Sequence, residues 1–125
     1  MSQVSAKLRS GEGGILMFWC PGCEELHQVR VGQNGWGFNG NHDAPTFTPS
    51  VLVTSGHFVS SHKPGDNCWC TYKERIGEDP GFKCFRCHTF VTDGKIQFLS
   101  DCTHALAGQT VPLPDLPAHL RDDCQ

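Results

Sequence analysis

Long apolar runs are missing from this sequence, and so are runs of a single charge. The apolar stretch Ile15–Trp19 (ILMFW) is too short for the centre of a secretory signal, and the residues before it are polar. Nothing in the chain approaches the length of a membrane-spanning helix. The 10 Lys and Arg are scattered and the formal net charge is -3, so the surface offers no general attraction to a polyanion, and nucleic acid is a disfavoured partner. Low-complexity tracts and internal repeats are also lacking. With 14 Gly and 8 Pro, many turns and few long helices are expected. A length of 125 residues suits one domain with a modest core.

What the chain has in excess is metal-ligating side chains: 8 Cys and 7 His. An even Cys count raises the question of a disulfide framework. Without a secretory segment, the expected compartment is a reducing cytosol, where clustered Cys and His serve as ligands rather than bridges.

Taken in order, residues 1–13 read as a flexible leader ending in Gly-Glu-Gly-Gly. A single domain is expected over 14–117, with 118–125 a flexible tail in which Cys124 is a mobile thiol. Ile15–Trp19 reads as a strand buried on both faces. After the knuckle Cys20-Pro-Gly-Cys23, Leu26–Val31 alternates with period two and puts His27, Val29 and Val31 on one face. Trp36 and Phe38 in the Gly-rich loop 32–41 read as anchors dipping into the core. Pro45–Pro49 is extended, and Ser50–Thr54 is a strand. Residues 56–82 form the least regular part, and a structureless loop of that length is unusual inside a small domain. Its His57, Cys68 and Cys70 are therefore candidates for tethering it.

Asp93-Gly94 is a two-residue hairpin turn. It pairs Thr92 with Lys95, Val91 with Ile96, Phe90 with Gln97 and Thr89 with Phe98. Cys87, Thr89, Val91, Ile96 and Phe98 then share the core face, while His88, Phe90 and Leu99 take the other. Ser100 or Asp101 is positioned to cap a short helix over Cys102–Ala107, stopped by Gly108. A last strand follows Gln109. The fold class expected is mostly β (small α+β), with antiparallel hairpins, zinc-ribbon-like knuckles and one short helix.

Three constellations carry chemistry. The strongest joins Cys20-x-x-Cys23 with Cys84-x-x-Cys87, since a two-residue gap sets two sulfurs on one ion and two such pairs close a tetrahedral Zn2+ site. The spacer between them, about 60 residues, is long for a minimal ribbon. His27 or His88 is an alternative fourth ligand, and Cys20, Cys23 and Cys87 are the firmer members. A second metal site could use His57, Cys68 and Cys70, with His62 or His88 nearby; three ligands would leave a position for water and allow hydrolysis. The third constellation is Asp101-Cys102-Thr103-His104. A helix N-terminus would favour a Cys102 thiolate, but residues two apart on a helix do not face each other. His104 would reach Asp101 or His88 instead. His88, Asp101, Cys102 and His104 are thus the candidate catalytic residues, on the hairpin face that leaves the core.

Over WGFNG, PTFTPSVLV, CHTFVTDGKIQFL and DCTHALAG the chain resembles small proteins of tailed bacteriophages and prophages that form a family of unknown function. Some members carry the label "ammonia monooxygenase". The resemblance runs from about Leu16 to Pro117, and its sparser bacterial form rests on Cys20, Cys23, Pro45, Thr46, Pro49, Ser50 and His88. It implies metal binding and the cytoplasm of a bacterial host, not an activity. A membrane copper oxygenase would need spanning helices, which this sequence lacks. The expected role is a zinc-stabilised module that engages a host or phage protein and no membrane. The alternative is a metal-dependent hydrolase with an open His-containing site, and a third reading is a thiol redox protein.

Overall fold

The apolar run does form a strand, and the first sheet is built around it. In the computed structural model, which describes residues 2–120, strands β1 (Ser2–Gln3), β2 (Leu8–Ser10), β3 (Ile15–Cys20) and β4 (Glu25–Arg30) make an antiparallel sheet in sequence order. The second sheet, also antiparallel and in sequence order, holds β5 (Gly37–Phe38), β6 (Phe47–Ser55), β7 (Phe85–Thr92), β8 (Lys95–Phe98) and β9 (Thr110–Pro112). The architecture is mostly β, as the hairpin pattern requires.

The two sheets share one core. Leu8, Leu16, Phe18, Cys20 and Val29 come from the first; Phe47, Val51, Cys87, Val91, Ile96 and Phe98 come from the second. Phe18 stacks on Phe47 across the join, with ring centroids 6.1 Å apart. Trp36 and Phe38 pack against this core from the Gly-rich loop, as anchors. The β7–β8 register is the one the Asp93-Gly94 turn dictates, Thr92 with Lys95 through Thr89 with Phe98. Both turn residues have positive φ, 50° and 77°, as a tight hairpin matched to strand twist demands.

Two local expectations need correction. Within residues 1–13, read as a flexible leader, β1 and β2 extend the first sheet, and Leu8, opposite Phe18, is fully buried. One apolar side chain with a core partner is enough to dock a polar segment, and hydropathy averaged over the segment hides it. The helix expected over Cys102–Ala107 does not form; α1, the α-helix among the described residues, lies at Tyr72–Ile76 instead. Residues 101–108 turn back repeatedly because their polar groups bind elsewhere. The Thr103 amide donates to Arg86 O at 2.9 Å, and the Leu106 amide donates to His104 Nδ1 at 3.2 Å. Such bonds replace the i to i-4 ladder a helix needs. Of the tail, residues 118–120 form a short 3-10 turn, and Cys124 lies outside the described residues.

Strand β6 contains the irregularity that matters most. Phe47 pairs with Val91, but Val51 pairs with Thr89, so Thr48, Pro49 and Ser50 all face the single residue Phe90. Pro49 has no amide to give to a ladder, and a bulge is where a sheet interior tolerates it. The bulge lets Ser50 turn onto the outer face, toward β7.

Candidate functional site

On that outer face, His88 stands opposite Leu52, and Ser50 lies diagonally from it, two residues earlier on β6. The Ser50 hydroxyl is 2.9 Å from His88 Nε2, and His88 Nδ1 is 3.3 Å from Asp101 Oδ2. Both ring nitrogens are therefore engaged, one by a hydroxyl and one by a carboxylate. Each element is held from behind. The Cys102 thiol donates to His88 O and accepts from the His88 amide, both at 3.2 Å. The Leu99 amide also donates to His88 O, at 2.9 Å, and Trp36 Nε1 donates to Ser50 O at 3.2 Å. The side chains of His88 and Asp101 are 27% and 41% exposed, so the trio is open to solvent.

Directly behind His88, alternation along β7 sends Cys87 into the core, where it meets Cys20, Cys23 and His104. The four ligand atoms lie within 4.8 Å of one another. Cys20 closes β3, and Cys23 sits in the tight turn after it. The Cys20 and Cys87 sulfurs are 3.7 Å apart, and Cys87 Sγ is 3.5 Å from His104 Nε2. Zinc–sulfur bonds of about 2.3 Å and zinc–nitrogen bonds of about 2.0–2.1 Å in a tetrahedron require edges of about 3.8 Å and 3.5 Å. The Cys20–Cys87 and Cys87–His104 edges already have those lengths. Its electrostatics also ask for a cation. Hydrogen bonds from Cys23 and Cys87 hold Cys20 far below the ordinary thiol range, and the Cys20 anion in turn pushes Cys23 up to about 12 and Cys87 well upward. Three adjacent thiols cannot all ionise without a positive charge among them. A metal here would be held by the three thiolates and by His104 through Nε2, the ring nitrogen that faces Cys87.

Gly22, in the Cys20–Cys23 knuckle, lies against the His104 ring, and a Cβ there would overlap its Cε1 and Nε2 atoms. Gly22→Ala is therefore expected to displace His104 from the cluster and weaken metal retention about 10- to 100-fold, as losing one oriented ligand does. A competition titration with a chromogenic chelator reads this out; unchanged retention would remove His104 from the ligand set.

Cys84 is not with Cys87. Their side chains leave opposite ends of the Cys84-x-x-Cys87 segment, and Cys84 joins His57, Cys68 and Cys70, again with all four ligand atoms within 4.8 Å. Cys70 Sγ is 3.7 Å from His57 Nδ1. Burial opposes ionisation of Cys84, but hydrogen bonds from the His57 backbone and from Cys70 outweigh it and draw the thiol down to about 6. The hydrogen bond with Cys84 pushes Cys70 up to about 11. His57, Cys68 and Cys70, the candidates for a second metal site, thus do come together, and the Cys that sequence spacing assigns elsewhere joins them.

Of the remaining candidates, His27, His62 and Cys102 stand outside both four-atom groups, although His27 adjoins the first and helps to lower the Cys20 thiol. His27 is buried beside Phe18, with Nε2 lacking a hydrogen-bond partner, and stands outside the four-atom group. His62 makes a ring contact with His57 but adds no ligand atom. Cys102 is buried and committed to the His88 backbone, and His104 faces Cys87 rather than Asp101 or His88. Ser50 is legible in the sequence as a motif residue but not as a partner of His88. The available signal was Pro-Ser beside a strand whose neighbour carries a histidine on its non-core face. A cleft of about 470 Å³ opens between the two clusters, bordered by Cys23, Phe82, Cys84, Phe85 and His104. Ser50, His88 and Asp101 do not line it; they occupy the open sheet face.

A family model described as "Bacterial ubiquitination-like system serine protease (BubE)" matches residues 2–99. That description concerns a bacterial system and does not bear on the phage resemblance. No curated protein and no solved structure matches the chain. Ser50, His88 and six of the eight Cys lie within the matched segment, whereas Asp101, Cys102 and His104 lie just beyond it. Because the match covers well over half of the chain and takes in β6 and β7 of the second sheet, the protein belongs to the family described as bacterial ubiquitination-like system serine proteases, BubE.

Proposed function

We propose that this protein is a serine hydrolase of polypeptides, with Ser50 as nucleophile, His88 as general base and Asp101 as the group that orients the imidazole. The observation that carries the reading is the chain of contacts Ser50–His88–Asp101, 2.9 Å and 3.3 Å. A triad is recognised by geometry and roles and not by chain order, and the order Ser, His, Asp is one more arrangement of the same parts. The family's description supports it from an independent side.

The chemistry follows from these atoms. Ser50 Oγ attacks the substrate carbonyl carbon while His88 Nε2 takes its proton. Asp101, at Nδ1, fixes the tautomer that leaves Nε2 free to accept and stabilises the imidazolium that forms. His88 then gives the proton to the departing amine, and the C–N bond breaks to leave an ester on Ser50. Water, deprotonated by the same nitrogen, hydrolyses that ester and restores the hydroxyl. An open sheet face suits an extended chain segment better than a small molecule, which would need an enclosing pocket. The proposed partner is a protein of a bacterial ubiquitination-like system, met in the bacterial cytoplasm. Among the described residues no helix is long and apolar enough to cross a membrane.

The metal has a different task in this reading. Three thiolates and one imidazole suit zinc, and four protein ligands leave no coordination position for a water. A metal-bound water as nucleophile therefore has no place at the buried cluster. Zinc would instead tie Cys87, next to His88, to His104, three residues past Asp101, and so hold base and acid in register.

A fluorophosphonate probe tests the assignment. The reduced wild-type protein is expected to gain one adduct, mapped to Ser50 by peptide mass, and Ser50→Ala and His88→Ala to gain none. Labelling that survives in Ser50→Ala, or folded wild type that never labels, sinks the proposal.

A further inference from the structure

Residues 56–84 leave the second sheet between β6 and β7 and return without a core of their own. None of them is buried. Their regular structure is two 3-10 turns, Gly56–Phe58 and Trp69–Thr71, and the single helix α1. Ordering a segment of this length costs conformational entropy that no apolar burial here offsets. The Trp69 ring meets Phe82 at 5.4 Å, but Phe82 is itself 69% exposed. Some other tie must hold the segment.

The side chains supply one. His57 lies just past the end of β6, Cys68 and Cys70 flank Trp69, and Cys84 immediately precedes β7, yet their ligand atoms converge within 4.8 Å. The 3.7 Å between Cys70 Sγ and His57 Nδ1 is close to the tetrahedral edge of about 3.5 Å for sulfur and nitrogen on zinc. The backbone is shaped to permit the meeting. Gly56 has φ +64°, and a Cβ at that position would overlap Cys84 Sγ. Only glycine accommodates both the conformation and the sulfur.

We infer that His57, Cys68, Cys70 and Cys84 form a second structural zinc site, separate from the buried one, that ties down the 56–84 segment and clamps the adjoining ends of β6 and β7. Three thiolates and an imidazole make a closed, soft ligand set with no position left for substrate. The clamp sits beside Ser55 and Phe85, the last pair of the ladder that also carries Ser50 and His88. It thereby shuts the open end of the strand pair on which the triad is built. Its ligands are exposed or half-exposed where those of the first cluster are buried or half-buried, so chelators reach it first. The inference stands whether or not Ser50 is a nucleophile.

Metal content of the full, reduced chain decides it. Wild type purified from zinc-supplemented cells is expected to hold two zinc ions. Cys70→Ser should hold one, keep a cooperative melt, and become sensitive to trypsin at Lys73 and Arg75. Cys84→Ser should behave the same way, retaining the buried ion; Co(II) bound to this variant should give one tetrahedral spectrum instead of two superposed. A single ion in wild type overturns the inference, as does a Cys70→Ser protein that still holds two. If Cys84→Ser keeps two ions or loses the ion that Cys20 and Cys23 bind, Cys84 is not in the second site and the inference also fails.

Discussion

Ser50→Ala should lower kcat for peptide-bond hydrolysis by at least about 10⁴-fold, with little change in melting temperature. The loss is large because no other hydroxyl or thiol stands within reach of His88 Nε2 in the described contacts: Cys102 faces the His88 backbone, and Cys87 faces the core. The stability cost is small because Ser50 is half-buried at a bulge and its backbone carbonyl, not its side chain, anchors Trp36. His88→Ala should be as severe, and the double variant no worse than either, because nucleophile and base act as one unit. Asp101→Asn is the informative variant. An amide in place of the carboxylate can donate to Nδ1 and turn the ring to the wrong tautomer, so kcat is expected to fall about 10²- to 10⁴-fold while KM holds. The lower end of that range reflects the 41% exposure of the Asp101 side chain, which lets water share its role. Equal activity in wild type and Asp101→Asn would show that the His88–Asp101 contact is only a surface pair.

The other large effect concerns the buried cluster. Cys87→Ser is expected to abolish the folded state rather than weaken it. Cys87 is 1% exposed and touches Cys20 and His104 at the centre of the core. Serine does not supply the thiolate that a soft metal ion prefers, so such an ion would be lost or held by three ligands. The hydroxyl then remains as a buried polar group, and Cys20 and Cys23 are left facing each other. Structural zinc contributes on the order of 10 kcal/mol in small domains, against a total stability of about 5–15 kcal/mol. A cooperative thermal transition in metal-free Cys87→Ser would refute this. Acid acts in the same direction as the mutation. Protons compete with metal for thiolates, so stability should fall as pH drops and zinc is released. Because Cys87 adjoins His88, activity should vanish together with the buried ion. Loss of the exposed ion, by contrast, should leave a folded core.

The strands and their register were legible because they depend on neighbours in sequence. Period-two alternation marks Val29, Val91 and Ile96 as inward, and Asp93-Gly94 dictates every β7–β8 pair that follows. The same alternation separates Cys87 from His88, which is why one faces Cys20 and His104 and the other Ser50. The helix expected over 102–107 is absent for the opposite reason. Thr103 and His104 find partners on β7, and those partners are remote in sequence.

By itself, then, the sequence determined the β architecture, the β7–β8 register, the core face and the presence of enough thiolates and imidazoles for metal. Tertiary structure alone decided how those ligands divide. Spacing groups Cys84 with Cys87 because it counts residues, whereas a metal site is a set of points in space. Strand geometry sends Cys84 to the open end of β6 and β7 and Cys87 into the core, so one apparent knuckle serves two clusters. Tertiary structure also decided that Ser50 meets His88. Only the bulge opposite Phe90 turns that serine toward β7, and a bulge is a property of two paired strands, which neither strand's residues specify alone.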